Sequence, residues 1–377
     1  DNVAIGHQAL SANAGDDNIA IGKDALLVNV KNQNVAIGSH ALDADVNGGT
    51  SVAIGHNALS AQVPATATDT LNVAVGHSAG EAITTGTLNV AVGALALDAA
   101  TSNNRCTAVG YAALGGMNNT GTGTLDNTAV GANAGAGATM TGAQNTLVGV
   151  AAGLSITSGN KNTIVGTDAG DAIDTATENT LMGYLAGTNL TSGTTNVAIG
   201  SQSLKVDTAG NTSVAVGYGA LKNQLFSTSG TTGNVAIGYD AGLSITSGTF
   251  NVCIGLSAGD ALADADGNTA IGRHALGADA SGSGSVALGD SALFTQNYGD
   301  TATAAYNTAL GHSAGYSITD GVYNICVGGR AGSTSTPITS GDYNIIVGVD
   351  ARPSAGTGGY QIVLGNAVTG AGDNTFS

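Results

Sequence analysis

The chain has 377 residues, of which only 9% are charged and 4% are aromatic, and it contains no Trp. A compact enzyme of this length would carry more charge and more aromatic side chains, so the composition disfavours an enzyme. The net charge of −17, with only nine Lys and Arg residues, argues against nucleic acid as a partner. No apolar run approaches the roughly 20 residues of a membrane span, so we expect no membrane insertion.

A five-residue phrase recurs along the whole chain: Asn, a β-branched residue, a small apolar residue, an aliphatic residue and Gly. It reads NVAIG at Asn2–Gly6, NTIVG at Asn162–Gly166 and QIVLG at Gln361–Gly365, and we number its positions 1 to 5. The 21 copies are most often 17 residues apart. This period predicts one array over residues 1–377, a parallel β-solenoid in which each repeat is one coil. Because the chain starts in phase without an initiator Met, we expect a fragment of a longer fibre.

Each phrase is predicted to form a strand that is buried on both faces. Positions 2 and 4 alternate as β-branched and aliphatic residues, which is typical of a strand. Position 3 is Ala in 14 copies and is never polar, whereas a solvated face should be polar. We therefore expect positions 2 and 4 to point into the coil and position 3 to lie on a seam between copies of the chain. The predicted seam residues include Ala36, Ala198, Cys253 and Cys326.

The other columns of the repeat predict how the coils stack. Position 1 is Asn in 16 copies, and coils about 4.8 Å apart would stack these amides in a hydrogen-bonded ladder. The Gly at position 5 indicates a turn with positive φ, where a Cβ would clash. A second, weaker strand is expected three residues later. It delivers one large aliphatic side chain per coil, either as Ala-Leu (Ala58-Leu59) or as Ala-Gly followed by an aliphatic residue (Gly80 and Ile83).

Five coils are longer than the rest and are predicted to carry loops, because stacked strands cannot absorb extra residues. Loops on a rigid scaffold commonly carry binding specificity, so we expect Phe226 and Tyr298 to contact a receptor. Insertions that are merely tolerated are the alternative. The predicted loops are Gln62–Thr70, Asn118–Leu125, Leu225–Thr232, Thr295–Ala305 and Ser333–Asp342.

The residue directly after each phrase is predicted to form a discontinuous line of exposed side chains. Tyr and His recur here, and Tyr offers a flat apolar ring with a polar tip, as in glycan contacts. The candidate receptor contacts are Tyr111, Tyr184, Tyr218 and Tyr239. An exposed turn column that tolerates many residues is the alternative.

The phrases NVAIG, NIAIG and SVAIG, each with Ala three residues later, resemble the head repeats of trimeric autotransporter adhesins. They resemble still more closely the repeats of bacteriophage tail fibres and related virion appendages, in which strings such as AGLSITSGNKNTIVG (residues 152–166) are frequent. This resemblance implies a left-handed parallel β-roll in which three chains form one rod. The adhesin repeat is usually shorter than 17 residues, and the adhesins' coiled-coil stalk and membrane anchor are missing here. These departures favour the phage-fibre expectation.

The sequence therefore predicts an all-β, homotrimeric, extracellular rod that serves attachment. A phage tail fibre or appendage that engages a cell-surface glycan or protein is the first expectation, and a bacterial trimeric surface adhesin or extracellular filament is the alternative. We expect no enzymatic activity, since no acid–base pair, nucleophile motif or phosphate loop is present. No catalytic residue, cofactor or metal site is predicted. A hexapeptide acyltransferase helix and an ice-binding solenoid fit the columns less well.

Overall fold

The computed structural model describes residues 1–12, 15–117, 125–137, 139–299 and 303–377. Over these residues the chain is an all-β parallel solenoid of about 21 turns, with about 17 residues per turn and no helix. The predicted solenoid is thus confirmed. The chain divides into two compact units, Asp1–Ser192 and Gly193–Ser377.

Each phrase contributes one strand of three residues, positions 2 to 4. The strands of the first unit are Val3–Ile5, Ile19–Ile21, Val35–Ile37, Val52–Ile54, Val73–Val75, Val90–Val92, Thr107–Val109, Thr128–Val130, Thr146–Val148, Thr163–Val165 and Thr180–Met182. Those of the second unit are Val197–Ile199, Val214–Val216, Val235–Ile237, Val252–Ile254, Thr269–Ile271, Val286–Leu288, Thr308–Leu310, Ile325–Val327, Ile345–Val347 and Ile362–Leu364.

Within each unit the strands of successive coils pair in parallel, with like positions opposite each other. Val35 is opposite Val52, Ala36 is opposite Ala53 and Ile37 is opposite Ile54. The same register holds along both units, for example between Val214–Val216 and Val235–Ile237. Each phrase position therefore forms a straight column of stacked side chains, so the columns inferred from the sequence are physical columns.

The predicted direction of the strand side chains is wrong. Ala36 has no exposed surface and points into the coil, whereas Val35 and Ile37 are half-exposed and point outwards. The physical reason is space: the coil interior already holds one Leu or Ile from the opposite wall, which leaves room for a small residue at position 3. Where position 3 is Leu147, Ile164 or Leu181, a glycine of the opposite wall lies against it. A Cβ on Gly153 would lie 2.9 Å from Leu147 Cδ2.

The Gly of the phrase makes the turn that the sequence predicted. Its φ lies between +127° and +143° in all 21 copies. A Cβ on Gly38 would lie 2.3 Å from the carbonyl oxygen of Gly55 in the next coil. A side chain at this position is therefore opposed by both the backbone conformation and the neighbouring coil.

The wall opposite the strands is a stack of turns, so the second strand predicted there is wrong. Asp24 and Leu26 have φ of 59° and 47°, and such left-handed residues at alternate positions prevent an extended strand. The coils still bond to each other here, since Leu26 N donates to Ala41 O at 3.0 Å. The predicted aliphatic residue is confirmed in both versions of the coil: Leu59 and Ile83 are both buried.

The Asn column forms a buried ladder, as predicted, although its main partners are backbone groups. Asn34 Oδ1 accepts a hydrogen bond from Ser51 N at 2.9 Å, and Asn34 Nδ2 donates to Gly48 O at 3.1 Å. Direct amide contacts are longer, as between Asn89 Nδ2 and Asn72 Oδ1 at 3.2 Å. One side chain thus satisfies backbone groups at the corner of two coils, which explains why Asn recurs there.

Three long coils return to the stack through two-residue parallel strands. Gly48–Gly49 pairs with Thr68–Asp69, Gly210–Asn211 with Gly230–Thr231, and Gly282–Ser283 with Thr303–Ala304. The extra residues therefore lie between the turn wall and the next phrase. Most of the predicted loop Asn118–Leu125, and residues 300–302 of Thr295–Ala305, lie outside the described residues.

Candidate binding surfaces

The described part of the chain contains no pocket, and no group of three or more His, Cys, Asp or Glu side chains that could hold a metal ion. No helix of the described residues is long and apolar enough to cross a membrane. The candidate sites are therefore surfaces, and they follow the columns of the repeat.

The first of these surfaces is the outer strand face, which we define as the side chains at positions 2 and 4. In the second unit, Ile199 is 37% exposed, Ile237 is 40% exposed and Ile325 is 38% exposed. Position 2 is Val, Ile or Thr throughout, and position 4 is aliphatic throughout. Position 2 is Thr in seven copies, including five successive coils from Thr107 to Thr180, so the face is most apolar where position 2 is Val or Ile. A solvated face normally carries polar residues, so these apolar stretches are unusual for a surface in water.

The residues predicted to line a seam lie on the other side of the strand. Ala36, Ala198, Cys253 and Cys326 have no exposed surface within the single chain. Burial raises the pKa of the Cys253 and Cys326 thiols to about 12. These four residues fill the coil interior, so they cannot touch another copy.

The column directly after the phrase is exposed. Exposure is expected both for receptor contacts and for a turn column that tolerates many residues, so it does not separate the two. Tyr111, Tyr184, Tyr218 and Tyr239 are all exposed. Tyr218 and Tyr239 occupy successive coils and stack with their ring centroids 5.1 Å apart. Tyr111 and Tyr184 have no aromatic neighbour in the described residues. The four predicted contacts thus form one pair and two single rings.

Phe226 and Tyr298 are half-buried parts of two long coils. Phe226 N donates to Asp207 Oδ1 at 3.0 Å, which ties the loop backbone to the coil below. Tyr298 Oη donates to Gly321 O at 2.6 Å and accepts from Asn307 Nδ2 at 3.0 Å. Burial raises the pKa of Tyr298 well above its ordinary value. The Tyr298 hydroxyl therefore already makes two hydrogen bonds within the chain, which fix the position of its loop.

Three long coils share a buried polar network that the sequence analysis missed. In one of them Asp45 Oδ2 accepts from Gln62 Nε2 at 2.7 Å, Gln62 Nε2 also donates to Thr70 Oγ1 at 3.1 Å, and Thr70 Oγ1 is 2.6 Å from Ser51 Oγ. Equivalent networks join Asp207, Gln224, Ser213 and Thr232, and join Asp279, Gln296 and Ser285.

A sequence signal for these networks exists. In all three coils Ser replaces Asn at position 1 of the phrase. An Asp stands seven residues after the Gly of the phrase before it, and a Gln stands seven residues after the Gly of the same phrase. Burial raises the pKa of Asp45 and Asp279 above the ordinary value, mainly by desolvation. The networks fix the base of each loop, so the loops leave the stack from a rigid and fully hydrogen-bonded platform.

A second feature was also missed, in the residue directly before the phrase. Tyr306, Tyr323, Tyr343 and Tyr360 occupy this position in four successive coils, and all four are exposed. Their ring centroids are 5.5, 4.9 and 5.0 Å apart in order along the stack. The signal was a Tyr before position 1 in four consecutive phrases. We call these four residues the tyrosine ladder.

Neither a protein-family model nor a curated protein matches this sequence. A function for the chain therefore rests on the columns of its repeat and on the surfaces that the fold exposes.

Proposed function

We propose that this chain is a structural segment of an extracellular attachment fibre, in which three copies form a left-handed β-roll. A bacteriophage tail fibre or appendage that engages a host surface is the first form of this proposal. A bacterial trimeric surface adhesin or extracellular filament is the second. In either form the chain has no catalytic role, and its partners are other copies of itself and a cell-surface glycan or protein.

The outer strand face is the observation that carries the proposal. Position 4 is apolar in every coil and position 2 is Val or Ile in 14 of the 21, and these side chains stay partly exposed in the single chain. Burying such surface contributes about 25 cal/mol per Å², so even partial cover at every coil adds up along the face. An identical face on each copy suits a closed symmetric assembly. The resemblance of the repeats to trimeric adhesins and phage fibres favours three copies.

The interior of the coil supports a mechanical role. It is filled by the position 3 residues and by one aliphatic side chain from the turn wall, and the Asn ladder satisfies the backbone at the corner. Stability is thus distributed over many similar nearest-neighbour contacts, as expected in a solenoid. The acidic composition suits an exposed, soluble surface and offers no basic stripe for nucleic acid.

Light scattering tests the assembly. The wild-type chain, of 36.2 kDa, is expected to give about three times its own mass. The double variant Ile199→Lys with Ile237→Lys places charges on the outer strand face and is expected to give a folded monomer. The matched control, Tyr184→Lys with Tyr239→Lys, changes exposed residues outside that face and is expected to stay trimeric. A wild-type chain that is monomeric at all concentrations contradicts the trimer.

Antibodies raised against the chain separate the two forms of the proposal. Immunogold labelling of phage particles is expected to mark an appendage, whereas labelling of bacterial surfaces would favour the adhesin. Purified chain is also expected to bind host cells and to compete with phage adsorption. Labelling of neither virions nor cell surfaces would overturn the attachment role.

A further inference from the structure

The tyrosine ladder is an ordered strip on a surface that carries few other aromatic side chains. The rings of Tyr323 and Tyr343 are nearly parallel, with 5° between their planes, and those of Tyr343 and Tyr360 differ by 9°. Tyr306 begins the ladder and lies against Gly284, where a Cβ would come within 2.6 Å of its ring. Ring faces are therefore occupied inside the ladder, and ring edges and hydroxyl groups point outwards.

These hydroxyl groups differ from that of Tyr298, which is bonded to Gly321 and Asn307. No protein group bonds the hydroxyls of the ladder within the described residues. The rings are already fixed by stacking, so a partner would pay little entropy to order them. Tyr is also among the residues that contribute most at protein interfaces. The ladder therefore has the features of an unoccupied contact surface.

The ladder borders the outer strand face. Each Tyr precedes a buried Asn or Gln at position 1, which is followed by an outward residue at position 2, so exposure alternates along the chain. Tyr323 is followed by buried Asn324 and then by Ile325, which is 38% exposed. In these four coils an exposed aromatic column therefore stands two residues before the first column of the outer strand face.

A repeating face has a register problem that the ladder can solve. Positions 2 and 4 carry nearly the same residues in every coil, so two copies shifted by one coil would make almost the same contacts. Such a shift leads to staggered, open association instead of a closed assembly. The residue before the phrase does not repeat in this way. In the earlier coils of the second unit it is Thr195, Thr212, Gly233, Phe250, Gly267 and Gly284.

We infer that the tyrosine ladder contacts a second copy of this chain and sets the axial register of the assembly. This inference rests on the proposed function, because it needs copies that associate through the outer strand face. A shift by one coil would place one end of the ladder opposite Gly284 or beyond Tyr360, so the aromatic contact at that end would be lost. The ladder thus favours the in-register assembly over the staggered ones.

The test replaces all four ladder residues by Thr, the residue that occupies the same column and the same left-handed conformation at Thr195 and Thr212. The control replaces Tyr111, Tyr184, Tyr218 and Tyr239 by Thr, which removes the same number of rings from the column after the phrase. The ladder variant is expected to associate about tenfold or more weakly and to give several masses in light scattering. The control is expected to keep the single wild-type mass.

Disulfide trapping measures the register directly, because it shows which residues of two copies lie opposite each other. The native thiols Cys106, Cys253 and Cys326 are buried, so an introduced outward thiol is the only reactive one expected. Chains with Ile345→Cys are mixed with mass-tagged chains that carry Ile362→Cys, one coil away. In the wild-type background, disulfides are expected between like positions. In the ladder variant, disulfides between positions 345 and 362 are expected to rise several-fold.

Each other outcome overturns the inference in a recognisable way. A trimeric wild type whose ladder variant keeps the same mass and the same disulfides overturns the register role alone. A monomeric wild type overturns the proposed assembly and the register role together. A ladder variant with unchanged assembly but lost binding to host cells assigns the ladder to a receptor. If the fourfold variant loses its β-type circular dichroism, Tyr323→Thr and Tyr343→Thr, made singly, give the same readouts.

Discussion

The two sides of most strands are both apolar but have opposite roles. The inward column, represented by Ala36, is small and completely enclosed by its own coil. The outward columns, represented by Val35 and Ile37, are larger and remain half-exposed. In Val35–Ile37 all three residues are apolar and the smallest one is interior, whereas Leu147 and Ile164 are larger than the Thr residues before them and are still interior. Where position 3 is Ala, the narrow coil encloses the small residue, and the bulkier residues on either side of it stay partly exposed.

The largest expected effect comes from charging the inward side. Ala36→Asp with Ala198→Asp would place unpaired carboxylates in the coil interior, at a cost of several kcal/mol per site. We expect a large fall in the urea midpoint followed by circular dichroism. The control, Ile37→Asp with Ile199→Asp, charges the outward side of the same strands and is expected to dissociate copies while each chain stays folded. Equal loss of structure in both variants would contradict the assignment of the two sides.

The next effect concerns the turn that ends each strand. Gly38→Ala forces a side chain onto a residue with φ of +137° and against the carbonyl oxygen of Gly55. We expect a loss of about 3 kcal/mol in the free energy of unfolding. Gly329→Ala is the matched control, because a Cβ there meets nothing within 4 Å, and its effect is expected to stay within about 0.5 kcal/mol. Similar midpoints for the two variants would refute the steric role of the phrase Gly.

A smaller effect is expected from the buried acids beneath the long coils. Burial raises the pKa of Asp45 and Asp279, so the folded chain binds these protons more tightly than the unfolded chain does. Their contribution favours folding at low pH and is lost as the pH rises through the folded-state pKa.

Melting temperatures between about pH 4 and pH 7 measure this contribution. The double variant Asp45→Asn with Asp279→Asn is expected to show a smaller decrease in melting temperature with rising pH than the wild type. The control, Asp290→Asn with Asp350→Asn, removes exposed acids whose pKa values are lowered by Arg273 and Arg330. This control is expected to make the decrease in melting temperature with rising pH slightly larger than in the wild type. An unchanged slope in the first variant would mean that the buried acids do not titrate in this range.

The smallest effect on stability is expected from shortening the loops. Removing four residues from within Gln62–Thr70 and four from within Leu225–Thr232, while keeping the buried Gln62, Thr70, Gln224 and Thr232, leaves the polar networks in place. We expect an unchanged urea midpoint and weaker attachment to host cells. A control with the same loop residues changed to Gly and Ser keeps the length. Unchanged attachment in both variants would indicate a plain spacer, with recognition located elsewhere.

The sequence by itself determined the repeat, the coil length and the roles of several columns. The Gly of the phrase, the Asn of position 1 and the two ways of supplying one aliphatic residue, as at Leu59 and Ile83, were predictable because each repeats in register and has one simple physical explanation. The trimer, the left-handed roll and the receptor contacts stay predictions.

Only the tertiary structure decided which side of the strand is interior. Ala36 and its neighbours Val35 and Ile37 are all apolar, so alternation within this strand cannot separate inside from outside. Thr at position 2 of seven other strands was the sequence signal that position 2 is the outer column. The answer depends on how much space the opposite wall leaves, and that is a property of the closed coil. The tyrosine ladder and the Asp–Gln–Ser networks were missed for a related reason. Their residues are 8 to 20 positions apart in sequence, and the stacking of coils in register brings them into contact.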